Sequence, residues 1–221
     1  MSSSGQNLTA LKDIAEGSQS IVYVIDDDES MRVGLGNLLS SVGLRVETFA
    51  SSGEFAAFHK VDAPSCLILD VRLRGESGLA VQEGVSGSDL RMPIVFMTAY
   101  GDVSMTVKAM KAGAFDFFTK PFREQDMLDA VVHALARDRN RRAADQALVL
   151  LRRSYESLTS REQRVMGYVV AGFLNKQIAA AMNVSEVTVK THRGQVMKKM
   201  AARSVPDLVR MADALGVKPP T

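Results

Sequence analysis

Four apolar stretches in the first 120 residues each stop abruptly on polar residues. Ile21 to Ile25 runs into Asp26-Asp27-Asp28, and Ser65 to Leu69 into Asp70. Pro93 to Met97 runs into Thr98, and Ala114 to Phe118 into Thr119-Lys120-Pro121. Short apolar runs of this length read as buried strands, and a fifth short strand is predicted over Leu44 to Phe49. Helical spacings separate them. Met31, Leu35, Leu38, Leu39 and Val42 share a face closed by Gly43, and Phe55 and Phe58 mark a short helix. A weaker helix is predicted from Leu79 to about Gly87. Another covers Val103 to Ala112 and is closed by Gly113. The next begins near Arg123. Strands alternating with helices imply βαβ units and a parallel sheet. Five such units fit an α/β, flavodoxin-like, doubly wound (βα)5 domain, in which ligands sit at the carboxyl ends of the strands. Asp26 to Asp28, Asp70, Thr98 and Lys120 all fall on that edge.

The rest of the chain reads differently. Asp126 to about Tyr155 contains no Gly or Pro. A single long helix is predicted there, with a break possible near Asn140; 30 residues would span roughly 45 Å. Its middle, Arg137 to Asp145, is rich in arginine. Beyond Leu158 every pattern is helical: Ser160 to Ala171, Asn175 to Met182, Glu186 to Met200 and Val205 to Leu215. The expected organisation is an arm at 1–19, an α/β domain at 20–137, a helical linker at 138–155, an all-α four-helix domain at 156–217 and a frayed tail at 218–221. Charge follows this division: net −5 over residues 20–137 and +8 over 138–221. An acidic front and a basic back imply different partners, with nucleic acid the natural one for the basic part. The lone cysteine, Cys66, lies in an apolar run and reads as core. No apolar run reaches the ~18 residues of a membrane span, and the polar, Ser-rich start has no signal-peptide pattern, so a soluble, cytoplasmic protein is expected.

At the predicted strand edge, Asp26, Asp27 and Asp70 can converge on a hard divalent cation, and their oxygen ligands suit Mg²⁺. Lys120 offers a compact positive charge, and the Thr98 hydroxyl a donor, to phosphoryl oxygens. Asp70 is then the nucleophile that forms an aspartyl phosphate. The residues Val24-Ile25-Asp26-Asp27-Asp28, Leu69-Asp70-Val71-Arg72, Met97-Thr98-Ala99 and Thr119-Lys120-Pro121-Phe122 make residues 20–137 similar to a response-regulator receiver domain. The resemblance implies that Asp70 is the phosphoacceptor and that a histidine kinase is the donor. It implies Mg²⁺ ligation by Asp27, Asp70 and the Arg72 backbone carbonyl, with Asp26 helping directly or through water. Phe117 matches the aromatic switch position, although it also reads as a core aromatic beside Phe115 and Phe118. The surface around Val103 to Phe118 is expected to change on phosphorylation and to pair with a second copy. One departure stands out: the family's usual proline is Arg74 here. A more mobile loop from Arg72 to Gly78 is therefore expected, with Arg72, Arg74 and Tyr100 influencing how long the phosphate persists.

In the basic part, Asn175 to Met200 reads helix, turn, helix, with Asn183-Val184-Ser185 as the turn and Ser185 as N-cap. Val189, His192, Val196 and Met200 form a core-facing stripe, and small polar and basic residues elsewhere on the helix suit the major groove. The segments Leu158-Thr159-Ser160-Arg161-Glu162, Asn175-Lys176-Gln177-Ile178-Ala179 and Thr188-Val189-Lys190-Thr191-His192-Arg193 resemble a LuxR-type (FixJ/NarL) DNA-binding domain. This resemblance implies that Glu186 to Met200 is the recognition helix, with Lys190, Thr191 and Gly194 facing base edges. Asn175, Lys176, Ser185, Thr188, Arg193 and Lys198 are then phosphate-contact candidates. Together the two resemblances look closest to the FixJ subfamily. They imply a non-enzymatic response regulator that assists its own phosphotransfer and autodephosphorylation, a phosphorylation-dependent homodimer on double-stranded DNA, and RNA polymerase as a further partner. Dimerisation could act by pairing alone or by freeing a masked recognition helix. The competing readings are a Mg²⁺-dependent phosphohydrolase, disfavoured because no segment reads as a substrate cap, and a constitutive DNA binder with a weakly responsive receiver.

Overall fold

The computed structural model of the chain describes residues 20–74, 76–78, 80–82, 91–99 and 103–217. The expected arm at 1–19, Tyr100, the tail at 218–221 and most of the helix predicted from Leu79 to Gly87 lie outside the described residues. The chain divides into two compact units, Met1–Arg142 and Ala143–Thr221.

In the first unit, β1 (Ile21–Ile25), β2 (Arg45–Phe49), β3 (Ser65–Asp70), β6 (Ile94–Thr98) and β7 (Asp116–Thr119) form one sheet in the order β2-β1-β3-β6-β7. Every pairing in it is parallel. Helices connect the strands: α1 (Glu29–Ser41), α2 (Ser52–Ala57) and α3 (Val103–Lys111), with Gly78 and residues 80–82 also helical. The strands β1, β3 and β6 are buried along their whole length, which explains why they read as apolar runs rather than alternating ones. Their side chains nevertheless divide by parity. Val22, Val24, Ile68, Val95 and Met97 pack on one face with Leu35 and Leu39 of α1. Ile21, Tyr23, Ile25, Leu67, Leu69 and Phe96 pack on the other with Phe55 and Ala109. Cys66 belongs to the first face, and burial pushes its thiol pKa up, as suits a core residue.

One feature departs from the expectation: the segment after Asp70 is not only a loop. Arg72–Leu73 (β4) pairs antiparallel with Glu76–Ser77 (β5). The single long helix is present as α4 (Glu124–Glu156), without a break near Asn140. Its first turns bury Met127, Leu128, Val131, Val132 and Leu135 in the sheet's first core. Asp138 follows on the same helix with a fully buried side chain. It accepts from the Ser65 backbone N–H at 3.0 Å and from Arg141 Nη2 at 2.7 Å.

The second unit packs α5 (Ser160–Val170), α6 (Asn175–Met182), α7 (Glu186–Lys199) and α8 (Val205–Leu215) around Leu158, Val165, Met166, Ile178, Val189, Val196, Met200 and Leu208. Local signals set three of the four starts. Thr159 and Glu162 form a reciprocal capping box at α5. Ser185 caps α7 by accepting from the Thr188 N–H at 3.1 Å, and Ser204 caps α8. Asn183 closes α6 at φ 54°, the left-handed turn that sets the angle between α6 and α7. No helix among the described residues is long and apolar enough to cross a membrane.

Candidate functional site

The parallel register brings the polar strand ends to one edge. Ile25 lies beside Leu69, Asp70 beside Met97, and Thr98 beside Thr119. Asp26, Asp70, Thr98 and Lys120 follow from those positions, each at or just past the end of its strand, where the apolar run gives way to polar residues. One ligand atom from each of Asp26, Asp27 and Asp70 lies within 4.8 Å of the others. Lys120 Nζ joins two of the three, 2.6 Å from Asp26 Oδ2 and 2.6 Å from Asp70 Oδ2. The third, Asp27, is paired with Arg74, Nε to Oδ2 at 2.9 Å. Asp28 completes the acidic run in a different role. Its carboxylate accepts from the Ser30 N–H at 2.8 Å and caps α1.

Other groups hold the carboxylates in place. Asp26 Oδ1 accepts from the Asp28 N–H at 2.8 Å, and Asp70 Oδ1 from the Arg72 N–H at 2.9 Å. Burial raises the Asp26 pKa, against the opposing pull of the Lys120 and Asp28 hydrogen bonds. Burial alone would lower Lys120, but its hydrogen bonds to Asp26 and Asp70 outweigh that, and its pKa is raised. The Lys120 backbone N–H donates to the Thr98 carbonyl at 2.7 Å, which ties two of the strand-end residues together. Thr98 itself is fully buried. Phe117 is half-buried against the face that holds Phe96 and Ala109, whereas Phe115 and Phe118 pack on the opposite face. The three aromatics are therefore not equivalent. An all-oxygen donor set of three carboxylates, with two cations now in ion pairs with it, has the chemistry that a hard divalent cation requires.

Gly78 was not singled out from sequence. A Cβ there would lie 2.4 Å from the Asp70 carbonyl oxygen and 3.0 Å from Val71 Cα. Its N–H donates to the Val71 carbonyl at 2.8 Å, so the backbone folds directly onto the segment that carries Asp70. The Ser77-Gly78 pair was the available signal.

In the second unit, α7 presents Lys190, Thr191, Gly194 and Lys198 as exposed residues, opposite the buried Val189, Val196 and Met200. The phosphate-contact candidates are partly pre-arranged. Arg193 Nη1 donates to Asn175 Oδ1 at 2.9 Å, and the Ser185 and Thr188 hydroxyls lie 2.8 Å apart. Lys176 is exposed, while Asn175 and Arg193 are half-buried. His192 is half-buried within the stripe predicted for it. Lys199, near the end of α7, binds Glu162 Oε2 at 2.7 Å.

Comparisons with known proteins fit this geometry. Residues 22–132 match the response regulator receiver domain, and residues 156–212 match the bacterial regulatory proteins of the luxR family. The chain is 50% identical over 200 residues to nodulation protein W of Bradyrhizobium diazoefficiens, covering 90% of this chain and 88% of that protein. It is 39% identical over 201 residues to the transcriptional regulatory protein FixJ of Azorhizobium caulinodans, covering 90% and 94% respectively. Among solved structures, the response regulator StyR superposes with a TM-score of 0.78 at 44% identity, covering 88% of this chain and 98% of that one. Full-length FixJ from B. japonicum superposes with a TM-score of 0.53 at 34% identity, covering 89% and 97%.

Proposed function

Since this chain belongs to the two-component response regulators of the FixJ type, in which a receiver domain is joined to a LuxR-family DNA-binding domain to regulate transcription, we propose that Asp70 is its phosphoacceptor and that the phosphoryl group controls pairing on DNA. The observation that carries the reading is the single Lys120 ammonium shared by Asp26 and Asp70 at 2.6 Å. Asp26, Asp27 and Asp70, with the Arg72 carbonyl, would hold Mg²⁺, which supplies charge neutralisation for the incoming phosphoryl group. An Asp70 carboxylate oxygen attacks the phosphorus of a phosphohistidine on the partner kinase. The O–P bond forms, the P–N bond breaks, and imidazole leaves. Lys120 moves from the carboxylate to a phosphoryl oxygen, and the Thr98 hydroxyl donates to another. Withdrawal of Thr98 toward the phosphate leaves room for Phe117 to turn inward, altering the surface from Val103 to Phe118.

That surface then favours a homodimer, and two copies of α7 reach half-sites about one helical turn apart, roughly 34 Å. Lys190, Thr191 and Gly194 face base edges. Asn175, Lys176, Ser185, Thr188, Arg193 and Lys198 contact phosphates. RNA polymerase is the partner through which bound dimers act, in the cytoplasm where the genome lies. The proposed division is receiver 20–137, linker 138–155 and DNA-binding domain 156–217. The same pocket would return the protein to its resting state by autodephosphorylation, with Arg74 beside it. The test is incubation of the full chain with phosphoramidate, a small P–N donor, and Mg²⁺. One covalent phosphoryl adduct by intact mass is expected, absent without Mg²⁺ and absent in Asp70→Asn. An adduct that persists in Asp70→Asn would contradict the assignment.

A further inference from the structure

The most exposed large apolar side chain in the described part of the second unit is Val187, 75% exposed on the first turn of α7. Nothing in the fold calls for it there. Valine is a poorer helix former than alanine, and an exposed one gains no packing to offset that. We infer that Val187 is a base-reading residue that recognises the C5-methyl group of a thymine in the major groove, beside the base pair that faces Lys190. The inference rests on α7 being the helix that enters DNA.

Position is the first support. Residues at i, i+3, i+4 and i+7 share a helix face, and Val187, Lys190, Thr191 and Gly194 are all exposed. Val187 therefore lies on the same stripe as the residues already assigned to base edges, at its N-terminal end, where recognition helices make base contacts. Chemistry is the second. Thr191 Oγ1 donates to the Val187 carbonyl at 3.0 Å, so its hydroxyl proton is committed to the helix. Its methyl and the Val187 side chain make the start of the face apolar. Thymine alone presents a methyl group in the major groove. Gly194 is the third. A Cβ there would meet nothing within 4 Å, and its backbone does not occupy the positive-φ region. It contributes no base-edge information, which leaves Val187, Lys190 and Thr191 to supply it. Three residues along a helix advance about 4.5 Å, against roughly 3.4 Å per base step, so the thymine lies one or two base pairs from the one facing Lys190.

The experiment uses the full chain with Mg²⁺ and phosphoramidate, the state proposed to bind DNA most tightly. Duplexes are selected from a random pool, and each thymine of the selected site is then replaced singly by deoxyuridine, which lacks only the methyl. At one thymine in each half-site, deoxyuridine should weaken wild-type binding by about fivefold, the loss of one buried methyl contact. Val187→Ala should bind the thymine and deoxyuridine duplexes equally, at the wild-type deoxyuridine level, with an unchanged salt dependence. Val187→Thr, which keeps the branch and one methyl, should retain part of the discrimination. Because Val187 is exposed and neither alanine nor threonine is a poorer helix former than valine, neither variant should melt below wild type. If Val187→Ala shows the same penalty as wild type at every deoxyuridine, or binds the selected site as tightly as wild type does, the assignment is wrong. Selection of no duplex at all would overturn the DNA-binding reading itself, a separate outcome.

Discussion

Asp26 and Asp70 share one lysine, and Asp27 has an arginine of its own. These cations occupy the carboxylate oxygens that a metal would take. Arg74 is 88% exposed, so its pair with Asp27 is screened by solvent and is worth no more than about 1 kcal/mol. Arg74→Ala frees a carboxylate for the cation and should tighten Mg²⁺ binding by up to about fivefold in a calorimetric titration. Unchanged or weaker affinity would show that the pair does not compete. Gly78 is constrained in a different way. The contact at 2.4 Å is with backbone, which cannot move as a flexible side chain would. Gly78→Ala should lower the receiver's melting temperature and slow phosphoryl uptake at Asp70, whereas Gly34→Ala, with nothing within 4 Å of its Cβ, should do neither. The acidic run, Asp70, Thr98 and Lys120 were legible because each ends a short apolar run. Gly78 and the Arg74 pairing were not, because both depend on a chain reversal that two short segments, Arg72–Leu73 and Glu76–Ser77, make only in three dimensions.

Helices and strands were legible where one physical signal dominated. The absence of Gly and Pro from Asp126 to Tyr155 foretold α4 to within a few residues. The residues Arg72 to Gly78 carry no periodicity, so the β4–β5 ladder could not be read. The Asp138 anchor was equally silent in the sequence, because an aspartate in an arginine-rich stretch reads as solvated. Its carboxylate satisfies the Ser65 N–H at the start of β3, the strand that ends in Asp70. Asp138→Ala leaves that buried N–H without its acceptor and takes a carboxylate away from Arg141. It should cost roughly 3 kcal/mol of receiver stability in a denaturant titration. In the second unit, Glu162 joins Lys199 to the α5 capping box. Its hydrogen bonds from Lys199, and then from the Thr159 N–H, hold its carboxyl below the usual carboxylate range. A lowered folded-state pKa contributes stability above the unfolded value, about pH 4.3, and loses it as pH falls through the folded one. Glu162→Gln should therefore destabilise this unit by about 1 kcal/mol at pH 7, a cap-sized effect. The difference from wild type should shrink below about pH 4. An equal difference at both pH values would show that the charge of Glu162 is not what matters.

At the scale of the whole molecule, the two units carry opposite charge: net −4 over Met1–Arg142 and +6 over Ala143–Thr221. The basic unit supplies the non-specific attraction to DNA, which weakens steeply with salt. The acidic unit supplies a carboxylate pocket suited to a cation and a phosphoryl group. What the sequence could not convey is how a change at Asp70 alters the affinity of α7, since coupling is a difference between two states. The most direct measurement is the affinity of the full chain for a selected duplex, at fixed salt and Mg²⁺, with and without phosphoramidate. Phosphorylation should tighten binding at least tenfold in wild type, with a shift from monomer to dimer at the same concentration, and should change neither in Asp70→Asn. Equal affinity in both states of the wild-type protein would contradict phosphorylation control and leave a constitutive DNA binder.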